Sequence, residues 1–241
     1  MAKQRIDTLL VSRGLAESRE KARVMVMEGA VVTGDRTIAK PNTMVGEDVE
    51  LRLIEKPPFV GRGGVKLDWA LDQFQVDIAG VIVADIGAST GGFTDCLLQR
   101  GASKVYAVDV GYGQLDYRLR QDPRVVVMER VNARHPLAIP EKVDIATLDV
   151  SFISLEKVIP SVTELVKDEG RLIALVKPQF EAGRRQVGKG GVVRDPLVHA
   201  SVLGHFIVWA VDRGFRLEGL VASPIMGADG NREFFVMLRR P

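Results

Sequence analysis

Two aspartates bracket a cluster of glycine and hydroxyl residues in ADIGASTGGFTDCLLQRGASKVYAVDVG, residues 84–111. Apolar residues lead into Asp85. Gly87, Ala88, Ser89, Thr90, Gly91 and Gly92 follow, and a second apolar run ends on Asp109. Glycine in such a turn removes side chains that would hold a ligand away from the main chain. The turn amides and the start of the next helix then face whatever binds. A carboxylate closing the next strand can accept hydrogen bonds from both hydroxyls of a ribose. The pattern points to a nucleoside-bearing cofactor. Val110 follows Asp109 and joins the candidate pocket. Phe93 fits either a pocket wall or a core position at the helix start.

A pyrophosphate-binding turn reads G-x-G-x-x-G, and here Ser89 replaces the second glycine. Asp85 also sits just before the turn, where its charge would repel a pyrophosphate. That carboxylate suits the sulfonium and ammonium of S-adenosylmethionine, which is therefore favoured over NAD. An NAD-dependent oxidoreductase on a similar sheet is the rival reading.

The elements that must position these residues alternate. VIVAD (81–85), KVYAVD (104–109), RVVVME, VDIATLD (143–149) and RLIALVK (171–177) read as strands. Helices are expected at FTDCLLQRG, 155–167 and about 196–213. Alternating β and α units imply an α/β, Rossmann-like fold with a mostly parallel seven-stranded sheet covered on both faces. The closing runs FRLEGLVASPI and EFFVMLRR have no helix between them and imply an antiparallel edge strand.

Residues 1–55 read as a separate small α+β module. Ile6, Leu9, Leu10 and Val11 form an apolar stripe closed by Gly14. Ser18 is a candidate N-cap for a second helix running to Gly29. Short β-like runs follow, read as a small curled sheet. KPPFVGRGG (56–64) reads as a linker, and residues 65–241 form the larger domain.

Net charge is +2 over 241 residues, so local charge is more telling. Arg5, Arg13, Arg19, Lys21 and Arg23 crowd the first module. Arg184, Arg185 and Lys189 occupy a glycine-rich stretch that also reaches Arg194 and contains no acid. Both segments suit a polyanion. Cys96 is the one cysteine, so no intrachain disulfide forms, which fits a reducing cytoplasm. His135, His199 and His205 have no metal-ligand spacing with it, and no metal is expected. No apolar run approaches the ~20 residues of a membrane span.

RGGVKLDWAL, DIGASTGGFTDCLL, LDVSFISL, ALVKPQFEAG and NREFF, in that order, resemble the TlyA group of ribosomal RNA 2′-O-methyltransferases, often labelled haemolysin A. The first 55 residues resemble the S-four RNA-binding module, and the remainder resembles the FtsJ-like methyltransferase domain. The resemblance implies S-adenosylmethionine as cofactor, ribosomal RNA or ribosomal subunits as partner, and a catalytic tetrad at Lys66, Asp149, Lys177 and Glu233. It also implies adenine contact near Asn132 and phosphate contacts from the basic residues above, with Ser18 beside them. Asp149 counts among the cofactor contacts as well. Lys66 and Lys177 in one pocket would lower each other's proton affinity. An RNA-binding protein without catalysis and a membrane-lytic protein are the alternatives.

Overall fold

The computed structural model describes residues 3–27, 30–34, 36–38, 40–53, 58–227 and 229–240, without the side chains at 24, 27, 36, 37 and 184. The chain divides into two compact units, Met1–Pro58 and Phe59–Pro241.

In the first unit, β1 (Lys3–Arg5) runs into α1 (Ile6–Ser12) and α2 (Arg19–Met27). Four short strands follow: β2 (Val31–Thr33), β3 (Arg36–Thr37), β4 (Met44–Gly46) and β5 (Arg52–Leu53). The strands make two small sheets rather than one, because β1, which the sequence reading did not foresee, pairs with β4. β2 pairs with β3 and β5. Ile6, Leu10, Ala22, Val26, Val31 and Ile38 fill the core. Gly14, at φ 69°, ends α1, and the amides of Gly14 and Leu15 return to the carbonyls of Val11 and Leu10. Ser18 Oγ accepts the Lys21 amide at 3.2 Å, which caps α2. The expected helix end at Gly29 lies outside the described residues.

The second unit contains α3 (Arg62–Phe74), β6 (Ile82–Ile86), α4 (Gly92–Gln99), β7 (Lys104–Asp109), α5 (Tyr117–Gln121) and β8 (Val125–Glu129). It continues with β9 (Val143–Leu148), α6 (Ile159–Thr163), β10 (Val166–Val176), α7 (Pro178–Glu181), α8 (Pro196–Val211), β11 (Arg216–Ala222) and β12 (Phe234–Arg239). The strands form one sheet in the order β11-β12-β10-β9-β6-β7-β8. β6 to β10 are parallel, and β12 is antiparallel to both β10 and β11. The helix-free pair thus closes the sheet, and its inner member is the reversed strand.

Three boundaries differ from expectation. The helix expected over 155–167 is a short 3-10 turn at Leu155–Lys157 followed by α6. β10 begins at Val166, ahead of Arg171, with a register shift between the two. α3 begins at Arg62, so the glycines read as linker belong to a helix start. Residues 54–57 lie outside the described residues.

Side chains alternate across the sheet, as the pleat requires. Ala84, Ile86, Leu172, Ala174 and Val176 pack with Ile159, Val162 and Phe206 on one face. Val83, Ile173, Leu175 and Phe235 pack with Leu67, Leu71, Cys96 and Leu97 of α3 and α4 on the other. From β6, the chain steps one way to β7 and β8 and the other way to β9 and β10. A crevice opens at such a reversal, beyond the carboxyl ends of the strands.

Candidate active site

Gly87 leaves β6 at φ 88°, a conformation that glycine adopts without strain. A Cβ there would stand 2.6 Å from the Asp149 carbonyl oxygen, so the turn and the end of β9 touch backbone to backbone. Gly91 opens α4 at φ 99°, and a Cβ on it would meet Leu119 at 2.2 Å. Gly87→Ala is therefore expected to cost about 1–3 kcal/mol of stability from backbone strain. It should weaken cofactor binding as well. Denaturant unfolding and calorimetric titration with S-adenosylhomocysteine check both.

Gly92 meets Gly61, Gly63 and Gly64, with a hypothetical Cβ only 3.0 Å from the Gly64 nitrogen. The starts of α3 and α4 approach this closely because neither carries side chains at the contact. α3 has no side-chain cap; its Gly64 amide returns to the Gly61 carbonyl at 3.1 Å, and no side chain takes the amides of Arg62 and Gly63 among the described residues.

Two cavities meet at the turn. The larger, about 340 Å³, is bordered by Ile86, Gly87, Ser89, Val108, Asp109, Val110, Gln114, Val131, Asn132, Asp149 and Phe152, among others. The smaller, about 180 Å³, is bordered by Gly61, Arg62, Gly63, Gly87, Ala88, Ser89, Thr90, Gly92, Phe93 and Asp149. Asp149 borders both. Phe93 is buried and stacks on Phe235 at 6.1 Å between centroids, so it serves core and cavity wall together.

Asp85 requires a correction. Its position in β6 turns it toward the α3–α4 layer, away from both cavities, and it is fully buried. Thr94 Oγ1 donates to one carboxyl oxygen at 2.6 Å, and Thr147 Oγ1, on the residue paired with Asp85 in β9, donates to the other at 3.1 Å. The acid braces the turn from beneath. Burial pushes its pKa up to about 7 against the two threonine hydrogen bonds, and nearby Asp149 adds to the rise. A carboxyl with a raised folded-state pKa binds its proton more tightly folded than unfolded. Its contribution to stability is full below about pH 4 and is lost as pH rises toward 7. Asp85→Asn should flatten this part of the pH profile, a difference on the order of a few kcal/mol between pH 4.5 and 8. Paired denaturant titrations of the two proteins measure it.

Asp109 stands at the end of β7 as expected. Its oxygens accept the amides of Ser89 at 2.8 Å and Gly111 at 2.6 Å, leaving a lone pair on each. Asn132 Oδ1 accepts the Arg134 amide at 3.1 Å. Gln114, whose side chain lies 3.4 Å from Ser89 Oγ, carries no motif signal and is absent from the sequence reading.

The four charges at Lys66, Asp149, Lys177 and Glu233 separate into two ion pairs. Lys177 Nζ lies 2.7 Å from Asp149 Oδ1 and donates to Ser151 Oγ at 2.8 Å. Asp149 Oδ1 is buried, with the Lys177 ammonium as its partner of opposite charge. Lys66 Nζ donates to Glu233 Oε2 at 2.6 Å, and both side chains are over nine-tenths buried. Each lysine faces an anion, and the like-charge contact expected between them does not form. Neither Lys66 nor Glu233 borders the two cavities. Their pair fastens α3 to the start of β12 instead.

In the first unit the basic residues are engaged within the chain. Arg5 and Arg19 both bind the buried Asp7, holding its carboxyl well below the usual range, Arg5 making the larger contribution. Arg13 donates to the carbonyls of Val49 and Glu47, Lys21 pairs with Glu17, and Ser18 is occupied as a cap. Arg23 is exposed and has no partner among the described residues, and the same holds for Arg185 and Lys189. The Arg184 side chain is outside the described set.

A reversed strand inserted beside β10 and a glycine turn at the sheet reversal define the class of Rossmann-like methyltransferases. Residues 59–240 match the FtsJ-like methyltransferase family and residues 4–51 match the S4 domain. The chain belongs to the FtsJ-like methyltransferase family and carries an S4 domain ahead of the catalytic fold. It is 50% identical to YqxC of Bacillus subtilis, provisionally named an rRNA methyltransferase, over 99% of this chain and 86% of that one. It is 45% identical to the 16S/23S rRNA (cytidine-2′-O)-methyltransferase TlyA of Mycobacterium tuberculosis, over 98% and 89%. A solved structure from Streptococcus thermophilus, provisionally named a haemolysin, superposes with a TM-score of 0.75 at 46% identity, covering 100% of this chain and 89% of that one. Among the described residues no helix is long and apolar enough to cross a membrane.

Proposed function

We propose that this enzyme transfers the methyl group of S-adenosylmethionine to a ribose 2′-hydroxyl of ribosomal RNA in the cytoplasm, with cytidine as the target base. The observation that carries the reading is Asp149, which borders both cavities of the turn and holds Lys177 at 2.7 Å. The names borne by the relatives support the substrate.

S-adenosylmethionine bound there supplies an electrophilic methyl group on a sulfonium. Asp109 accepts the hydroxyls of its ribose, and Asn132 and the apolar wall of Val108, Val110 and Val131 enclose the adenine. The uncapped start of α3 and the Thr90 amide would receive its carboxylate in the smaller cavity, the Gly87, Ala88 and Ser89 amides being bound to Val108 and Asp109. Lys177 Nζ would accept the 2′-hydroxyl proton as the oxygen bonds to the methyl carbon and the carbon–sulfur bond breaks, leaving S-adenosylhomocysteine. Asp149 and Ser151 then hold the resulting ammonium in the arrangement seen here. Close in-line placement supplies much of the acceleration. Lys66 and Glu233 position the ribose at one remove, by fixing the first turn of α3.

In the first unit, Arg23, without a partner among the described residues, supplies a phosphate contact that positions without reading sequence, while Arg5, Arg13, Arg19 and Lys21, held within the chain, add positive charge to the module. Arg185, Lys189 and their neighbour Arg184 add a second set. Incubating the protein with radiolabelled S-adenosylmethionine and ribosomal subunits, then mapping the labelled nucleotide, tests the proposal. Label on a ribose supports it. Label on a base, or none, overturns it.

A further inference from the structure

Away from the turn, a cavity of about 520 Å³ opens between the segment entering α8 and the segment entering β12. Arg194, Pro196 and His199 line one side, and Met226, Asp229 and Arg232 line the other. Arg194 and Arg232 are exposed and have no side-chain partner among the described residues. Elsewhere in this unit Arg100, Arg120, Arg124, Arg171 and Arg239 each hold a carboxylate. Two arginines facing one aspartate leave the cavity cationic.

Its walls are built rather than loose. Asn231, 1% exposed, donates to the Gly191 carbonyl and accepts the Val193 amide, both at 2.9 Å. Its own carbonyl accepts the Gly227 amide at 2.8 Å. One buried amide side chain therefore ties both walls together. Arg62 Nη2 donates to the Met226 carbonyl at 2.5 Å, joining this wall to the helix start that borders the smaller cavity. Arg232 directly precedes Glu233, the partner of Lys66.

We propose that this cavity is a phosphodiester-binding subsite for the substrate strand, in which Arg194 and Arg232 hold backbone phosphate beside the nucleotide being methylated. The proposal rests on the RNA reading above. A guanidinium fork matches phosphate oxygens two at a time, and a pair of unneutralised forks over a fixed wall is suited to a fixed anion. Val192, Val193, Pro196 and Met226 offer apolar contact to the adjoining sugars.

The test compares the wild-type chain with R194Q/R232Q and R194K/R232K, using deproteinised ribosomal RNA and intact subunits. For R194Q/R232Q, KM for RNA should rise at least about tenfold while kcat and S-adenosylhomocysteine affinity stay within about threefold. Each lost phosphate contact should make the slope of log affinity against log salt shallower by roughly 0.7–0.9. R194K/R232K should restore that slope, since lysine supplies the charge without the fork. An unchanged KM and slope in R194Q/R232Q, with wild-type methylation intact, overturns the subsite and leaves the proposed function standing. Weakened binding with an unchanged slope also overturns it. So does a defect confined to intact subunits, which would assign the surface to ribosomal protein. Wild-type protein that binds cofactor yet neither binds nor methylates RNA overturns both readings.

Discussion

Lys177→Ala is expected to lower kcat for RNA methylation by about 10²–10⁴-fold, the range for loss of a positioned proton acceptor. Affinity for S-adenosylmethionine should remain close to wild type. The lysine closes β10 and reaches across to Asp149 and Ser151, whereas the two cavities at the turn are lined by other residues. Single-turnover kinetics with saturating cofactor separates the chemical step from binding. The ion pair also predicts an asymmetry between its members. Removing the lysine leaves Asp149, a half-buried carboxylate able to find water. Removing Asp149 takes away the anion that holds the ammonium and a wall of both cavities, so Asp149→Ala should impair cofactor affinity and kcat together. Near-normal transfer by the Lys177→Ala protein would sink the assigned role.

Lys66→Met is expected to destabilise the protein by about 3–5 kcal/mol, because Glu233 would be left charged and buried without its partner. The decisive comparison is the double variant K66M/E233L. Replacing both members of a buried pair with apolar groups of similar volume is often neutral or stabilising, so most of the lost stability should return. If the pair acts through α3 as argued, the double variant should recover cofactor affinity along with its fold and show only a moderate loss of kcat. If Lys66 or Glu233 instead touches the RNA ribose, the refolded double variant would remain as inactive as the Lys177→Ala protein. Urea midpoints alongside methylation rates distinguish the two. Space near the pair is tight, since a Cβ on Gly227 would stand 2.4 Å from Glu233 Oε1. Side chains larger than methionine at position 66 are a poorer test.

The amino-acid sequence alone determined the order of the strands in the larger unit and the places of α3, α4 and α8, though not the short α5 and α7, together with the glycine turn after β6 and the placement of Asp109 at a strand end. These rest on local rules: two-residue alternation, glycine at positive φ, and the residues that stop a helix. The cap at Ser18 and the glycine stop at Gly14 were legible for the same reason. Tertiary structure decided what depends on contacts between distant segments. Asp85 lies below the turn because the register of β6 against β9 sets it opposite Thr147 while α4 brings Thr94 over it. Strand alternation gives such a residue two possible faces and does not say which one a cofactor occupies. Gly61, Gly63 and Gly64 read as a linker because glycine is shared by flexible segments and by close helix contacts, and only the neighbouring Gly92 distinguishes them. The partition of four charges into Lys66–Glu233 and Lys177–Asp149 follows from where α3 and β12 come to lie. A buried charge takes the nearest opposite charge, and residues 167 apart in the chain become nearest only once the sheet has formed.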